Sequence, residues 1–346
     1  MKRQKILVVA LGRIGDLVLV TPIFRALKQL DPTPEVHLLA GRHNYRVVQA
    51  HPYIDKVHVY TKKPWSTLRL IYRLRKANFD LWIDPKDHPS RESRFFAHIG
   101  GAKISVGYNA DGKRRIFTHS VIPYTEQLGV HMSTRCLTAL APLAIVAKDP
   151  RPVLGVDPQA VQRLHSFLKA RGIRCYYLVN ISGAIPERTW PTERWIALIN
   201  AIGQEENCCF VLCCLSRDRA IVKDILEHTA NTCRYPTPSI IDAVAGVAHA
   251  DLIVTVDTSI VHIASAFNKP ILSLHPNIYH NYTKYRPLSD SARDVLAPRA
   301  TVGEISLESV LREYRSLREE LGACRTYDES TTAVGNRSIF PIILVK

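Results

Sequence analysis

No stretch of the 346-residue sequence supplies the roughly 18 consecutive apolar residues that a helix needs to cross a bilayer; the most apolar runs, Cys208 to Leu215 and Ile339 to Val345, fall well short. The chain reads as soluble or peripheral. The patterns H-E-x-x-H, G-x-S-x-G and C-x-x-C are also missing, so zinc proteolysis, serine hydrolysis and dithiol redox chemistry have no support. There is no internal repeat at solenoid period and no low-complexity tract. A secretory leader is imitated by Met1 to Lys5 and the apolar residues Ile6 to Leu11, but Arg13 and Asp16 interrupt the run and no small-residue cleavage site follows. The segment reads as a first buried strand. Without a leader, the eight cysteines point to a reducing cytosol rather than a disulfide framework. Cys208, Cys209, Cys213 and Cys214 lack zinc-knuckle spacing and sit in a strand-like run, so buried thiols are expected there and no metal.

Acidic residues are scarce in one half only. Residues 1–150 hold 24 Lys and Arg against 11 Asp and Glu, whereas residues 151–346 hold 22 against 20. Such an excess favours phosphorylated or other anionic partners, or an anionic membrane face, although solubility alone would also account for it. The basic residues form neither an aromatic-interleaved patch nor a nucleic-acid module, so nucleic acid is not an expected partner.

What is present is alternation. Short β-branched runs at 5–10, 35–40, 56–60, 79–84 and 103–107 are separated by helical patterns at Val18 to Leu30, His43 to Ala50, Trp65 to Ala77 and Ser90 to Ile99. A further helical stretch, Gly129 to Val146, leads into a proline-containing linker at 147–152. The pattern then restarts, with strands at 176–181, 209–214, 252–256 and 270–274, helices at 192–204, 217–229 and 239–249, another from Thr258, and a late helix over Glu304 to Leu321. Repeated βαβ units of this kind predict an α/β fold of two Rossmann-like doubly wound domains, 1–150 and 151–325, followed by a tail at 326–346. Facing domains leave a cleft at the carboxyl ends of their strands, where open α/β sheets bind ligands.

Three segments carry residues suited to that cleft. The first is Leu11-Gly12-Arg13-Ile14-Gly15-Asp16-Leu17 at the first strand-to-helix turn. It has neither dinucleotide-fingerprint spacing nor a Walker lysine, and Asp16 could simply cap the helix. The second is Asp257-Thr258-Ser259 with His262, where a buried strand ends and a helix begins. Free backbone N–H groups, two hydroxyls and the positive helix end would cradle a pyrophosphate. A helix cap plus a satisfied histidine is the structural alternative. The third joins Ser182-Gly183 to Arg188, whose guanidinium could hold a phosphate through two parallel bonds. Trp190 and Trp195 beside it read as packing anchors.

Together these segments resemble a known family. Lys5 to Pro22 with Arg25 to Lys28 is similar to the N-terminal signature of glycosyltransferase family 9, the bacterial lipopolysaccharide heptosyltransferases. His51 to Val57, Arg188 to Trp195 and Asp251 to Pro270 resemble further segments of that family, in order along the chain. The resemblance implies a B-type glycosyltransferase fold with the acceptor on the first domain and a nucleotide sugar, typically ADP-heptose, on the second. It implies that Asp16 is the general base, that Arg188 steadies the donor phosphates, and that Gly15, Ser182, Gly183, Asp257, Thr258, Ser259 and His262 lie around the donor. No cofactor or metal is expected beyond that co-substrate. The acceptor would be an anionic glycolipid, met by Lys62, Lys63, Lys86, Arg91, Arg94 and the Lys113-Arg114-Arg115 run, at the cytoplasmic face of the inner membrane. Ser259 departs from the family's usual glycine, and His275-Pro276-Asn277 stands where many members carry Gly-Pro-Thr.

Overall fold

The computed structural model describes residues 3–110 and 115–322, so Lys113, Arg114 and the expected tail at 326–346 lie outside them. The first half runs β1 (Lys5–Ala10), α1 (Ile14–Val20), α2 (Pro22–Lys28), β2 (Glu35–Gly41), β3 (Lys56–Tyr60), α3 (Pro64–Ala77), β4 (Leu81–Ile83), α4 (Arg91–Gly100), β5 (Ile104–Gly107), β6 (His119–Ser120) and α5 (Met132–Thr138). The second runs α6 (Pro158–Lys169), β7 (Tyr176–Asn180), α7 (Thr192–Glu205), β8 (Cys209–Cys213), α8 (Arg219–His228), β9 (Thr232–Arg234), α9 (Ile240–His249), β10 (Leu252–Val256), α10 (Ser259–Ala266), β11 (Ile271–His275), α11 (Tyr279–Tyr285), β12 (Ala292–Leu296) and α12 (Leu307–Leu321).

Each half forms a six-stranded parallel sheet, ordered β3-β2-β1-β4-β5-β6 and β12-β11-β10-β7-β8-β9. Counted within its own half, each has the doubly wound order 3-2-1-4-5-6, whose reversal point is where ligands bind. That point falls between β1 and β4 in one sheet and between β7 and β10 in the other. Every residue of β7, β10 and β11 is buried, as a parallel sheet covered by helices on both faces requires. Alternate side chains of β1 feed different cores: Ile6 and Val8 join one cluster, Leu7 and Val9 another with Trp82, Phe79 and Phe96.

Local chemistry explains where the observed elements depart from the expected ones. The helix expected over Val18 to Leu30 begins earlier, at Ile14, and is two helices, because Pro22 has no N–H to continue α1 and instead opens α2. His43 to Ala50 contains one 3-10 turn, Tyr45–Val48. Gly129 to Val146 shortens to α5 and a 3-10 turn at Ala141–Leu143, cut by Pro142 and ended by Ala144 in the left-handed region at φ 56°. Strands β6, β9 and β12 were not foreseen; the first two have only two and three residues, and β12 is a charged edge strand. Helix α6, capped by Asp157 through a 2.9 Å bond from the Ala160 N–H, was missed too. The cysteine run forms β8, where burial pushes the Cys213 thiol up to about 12. Trp190 and Trp195 are packing anchors: both are buried, they meet edge to face at 5.0 Å, and the Trp190 indole donates to the Ile305 carbonyl.

Candidate functional site

The two reversal points open into one cleft of about 780 Å³. Its first-domain wall is the loop and helix start Arg13 to Asp16 together with His43; its second-domain wall includes Asn180, Arg188 and Asp257 to Ile260. Asp16 and the start of α10 therefore face the same space, as expected from sequence. The domains touch beside it, because α1 packs against α10.

Asp16 is the third residue of α1 and is half-buried. One carboxylate oxygen, Oδ2, accepts the Arg13 backbone N–H at 2.8 Å, so the side chain does cap the helix. Capping and reaction are compatible, since a carboxylate has about four acceptor positions over two oxygens. The folded-back pose depends on Gly12: a Cβ there would stand 2.6 Å from Asp16 Oδ2. Gly15 serves the domain contact, since a Cβ would stand 2.9 Å from the His262 ring.

On the opposite wall, the Arg188 Nε lies 3.2 Å from Asp257 Oδ2 and an Nη donates to the Asp257 carbonyl at 3.4 Å. Asp257 thus aims the guanidinium, and with one cation on one buried carboxylate the pair adds no net charge until an anion arrives. Gly183 is needed for the loop leading to Arg188, because a Cβ would meet the Arg188 carbonyl oxygen at 2.3 Å. Its part is to shape the backbone. Ser182 lines the cleft, yet its hydroxyl donates to Asp218 at 2.5 Å and accepts the Leu215 N–H at 2.8 Å. Thr258 is the N-cap of α10, its hydroxyl accepting from the Ile260 N–H and, at 3.2 Å, from the Asn180 amide. The N–H of Ser259, the first residue of the helix, belongs to the group of early helical donors with no partner inside the helix.

His262 lines the cleft but is not a cation. Burial, followed by the charges of His131, His275 and Arg188, lowers its pKa to about 3, and its Nδ1 has no hydrogen-bond partner. It can offer an anion a neutral N–H at most. Burial likewise brings His51, His58 and His131 down to about 4. In the unfolded chain such groups titrate near 6.5. Acid therefore protonates the unfolded state first, so the stability these histidines contribute is complete above about pH 6.5 and is lost as pH falls toward 4. Each can contribute up to about 1.4 kcal/mol per pH unit in that window. Thermal melting should show Tm lower at pH 5 than at pH 7 by about 5 °C or more; equal values would mean these rings are already charged in the folded protein.

The basic residues expected to meet an acceptor are outside the cleft lining. Lys62 pairs with Glu92 at 2.7 Å, Lys63 precedes α3, Lys86 reaches Ser90 at 3.4 Å, and Arg91 and Arg94 lie on α4. Sequence reading missed several lining residues: Asn180, the turn Thr237-Pro238-Ser239, and Asn281 and Tyr285 of α11. Asn180 ends β7 at a reversal point and was open to recognition by that rule. Nothing in the local pattern marks the seven-residue α11. Among the described residues, no group of three or more His, Cys, Asp or Glu is placed to hold a metal ion, and no helix is long and apolar enough to cross a membrane.

Comparison with known proteins agrees with this architecture. The sequence profile of glycosyltransferase family 9 (heptosyltransferase) matches residues 67–314. Lipopolysaccharide heptosyltransferase 3 of Escherichia coli K12 is 26% identical over 298 residues, which cover 80% of this chain and 83% of that one. A family 9 glycosyl transferase from Veillonella parvula shares the fold with a TM-score of 0.82 at 18% identity, over 92% of this chain and 99% of that one. The E. coli heptosyltransferase WaaC, solved with ADP, gives 0.71 at 16% identity, over 92% and 99% of the two chains. With the profile spanning well over half of its length, the chain belongs to glycosyltransferase family 9, the heptosyltransferases, and is a glycosyltransferase.

Proposed function

We propose that this enzyme transfers a heptose, or a closely related sugar, from a nucleotide diphosphate donor to an anionic glycolipid acceptor of the lipopolysaccharide core, with inversion at the anomeric carbon. ADP-heptose is the first donor to test, since a solved relative of the same fold is a heptosyltransferase with ADP. The second domain, 151–325, takes the donor and the first, 1–150, the acceptor, on the cytoplasmic side of the inner membrane. The acceptor hydroxyl gives its proton to Asp16 as its oxygen bonds to the anomeric carbon. The bond from that carbon to the diphosphate breaks, and the electron pair leaves with the nucleotide. Arg188 and the first N–H groups of α10 meet the charge that develops there. General-base help of this kind contributes about 10² to 10⁴-fold. The observation that carries the reading is the shared cleft, with a capped carboxylate on one wall and an Asp257-held guanidinium on the other.

Incubation with ADP-heptose, other nucleotide sugars and a truncated core acceptor, followed by the mass of the product, tests it. An acceptor heavier by one heptose is expected. A different sugar on the acceptor would move the enzyme to another donor. Nucleotide-sugar binding without any product would leave a non-catalytic binding protein, for which Ser259 in place of glycine is the sequence argument.

A further inference from the structure

Helix α3 carries two apolar faces. Leu70 and Leu74 are buried against the sheet, as an amphipathic helix requires. On the opposite side, at the i, i+3, i+7 spacing that makes one stripe, Trp65 is 78% exposed, Leu68 57% and Tyr72 65%. Among the described residues, none of the core clusters includes them. The helix has four basic residues, Arg69, Arg73, Arg75 and Lys76, and no acidic one, and Lys62 and Lys63 precede it. The Lys76 Nζ lies 5.9 Å from the centre of the Tyr72 ring, so a cation stands beside the stripe. Helix α4 lies alongside in the same direction: Lys62 pairs with Glu92 near the two starts, and Arg75 donates to the Ile99 carbonyl near the two ends. It adds Phe95, 49% exposed, and Arg91. Aromatic and basic residues therefore do interleave, along α3 itself, which corrects the expectation of no such patch, and α4 extends it.

We propose that this face of α3 docks on an anionic lipid bilayer surface, with Trp65, Leu68 and Tyr72 entering the headgroup boundary and the flanking cations meeting lipid phosphates. A stripe of Trp, Leu and Tyr inside a basic rim is the pattern of helices that lie in the membrane interface. A second copy of the chain suits the face poorly, because a two-fold contact would oppose each basic rim with itself. Nucleic acid is the weaker fit, since Leu68 between the two rings offers no stacking surface. Both helices begin where β3 and β4 end, at the cleft side of the sheet, so docking would turn the acceptor wall toward the lipid. The proposal rests on the glycolipid reading of the acceptor for its purpose, and on the exposed stripe and charge for its location.

The test is sedimentation of the full-length protein with phosphatidylcholine vesicles, with and without phosphatidylglycerol. Binding is expected only to the vesicles containing phosphatidylglycerol, and should weaken at about 0.5 M salt, where the screening length is only a few Å. Arg69→Gln with Arg73→Gln should lower the partition coefficient by roughly fivefold per charge. Trp65→Ser, Leu68→Ser and Tyr72→Ser together should lower it about tenfold or more, with Tm and sugar transfer to a lipid-free acceptor unchanged. Wild-type protein left in the supernatant, or variants that bind as well as wild type, would overturn the proposal. So would a dimer lost in the serine variant, which assigns the face to a second copy, or an oligonucleotide that binds α3 in place of vesicles. Vesicle binding without sugar transfer would leave the lipid face standing and remove the proposed heptosyl transfer; transfer without vesicle binding would do the reverse.

Discussion

Asp16→Asn protein should bind nucleotide sugar as tightly as wild type and transfer it about 10² to 10⁴-fold more slowly, the range that positioned proton transfer contributes. Asparagine is the informative replacement because Asp16 has a structural task beside the catalytic one proposed for it. Its Oδ2 accepts the Arg13 N–H and so fixes the first turn of α1. An amide oxygen keeps that bond, whereas alanine loses it at a cost of about 1 kcal/mol. If Asp16→Asn is slow and thermally normal while Asp16→Ala is slow and less stable, the two tasks separate. Transfer at the wild-type rate by Asp16→Asn would exclude Asp16 as the base and leave the cap as its whole role. Donor affinity, measured by calorimetry with the nucleotide alone, guards against a displaced α1, since Gly15 joins that helix to His262 across the domain contact.

The second large effect is expected at Arg188. Replacing it by alanine removes charge-assisted bonds worth about 1.5–3 kcal/mol each, so donor affinity should fall by roughly 10 to 150-fold. The rate should fall with it, because the diphosphate gains charge as it departs. The same substitution strands the buried Asp257 carboxylate, which loses its guanidinium partner at 3.2 Å. Lower Tm should therefore accompany the kinetic loss. The double variant Arg188→Gln with Asp257→Asn removes the stranded charge: stability should return and donor affinity should not. Gly183→Ala gives an independent reading. Its Cβ would meet the Arg188 carbonyl at 2.3 Å, so the loop must shift while the cation is kept. A weaker donor in Gly183→Ala as well would show that position, beyond charge, matters. Unchanged donor affinity and rate in Arg188→Ala would refute the phosphate role.

Much of the fold was legible because parallel strands announce themselves. Strands buried on both faces read as near-continuous apolar runs, and Ile6 to Ala10, Tyr176 to Val179 and Leu252 to Val254 are such runs. Edge elements carry no such demand. Ala292 to Leu296 includes Arg293 and Asp294, and β6 and β9 are too short for a period to show. The candidate site was legible where unusual polar residues close a strand, as at Asp257-Thr258, or open the helix after one, as at Asp16. It was illegible where a residue enters from a distant helix, as Tyr285 does.

The sequence by itself determined the two doubly wound halves, the unequal charge between them and the residues at each strand end, because apolar period and turn chemistry are local. Only the tertiary structure decided what those residues face. It brought the Asp16 turn and the start of α10 onto one cleft, gave Arg188 to Asp257, turned His262 into a neutral buried ring, and left Trp65, Leu68 and Tyr72 in solvent. Burial and pairing depend on chain segments far apart in sequence, and helical spacing alone does not say which of two apolar faces the core will take.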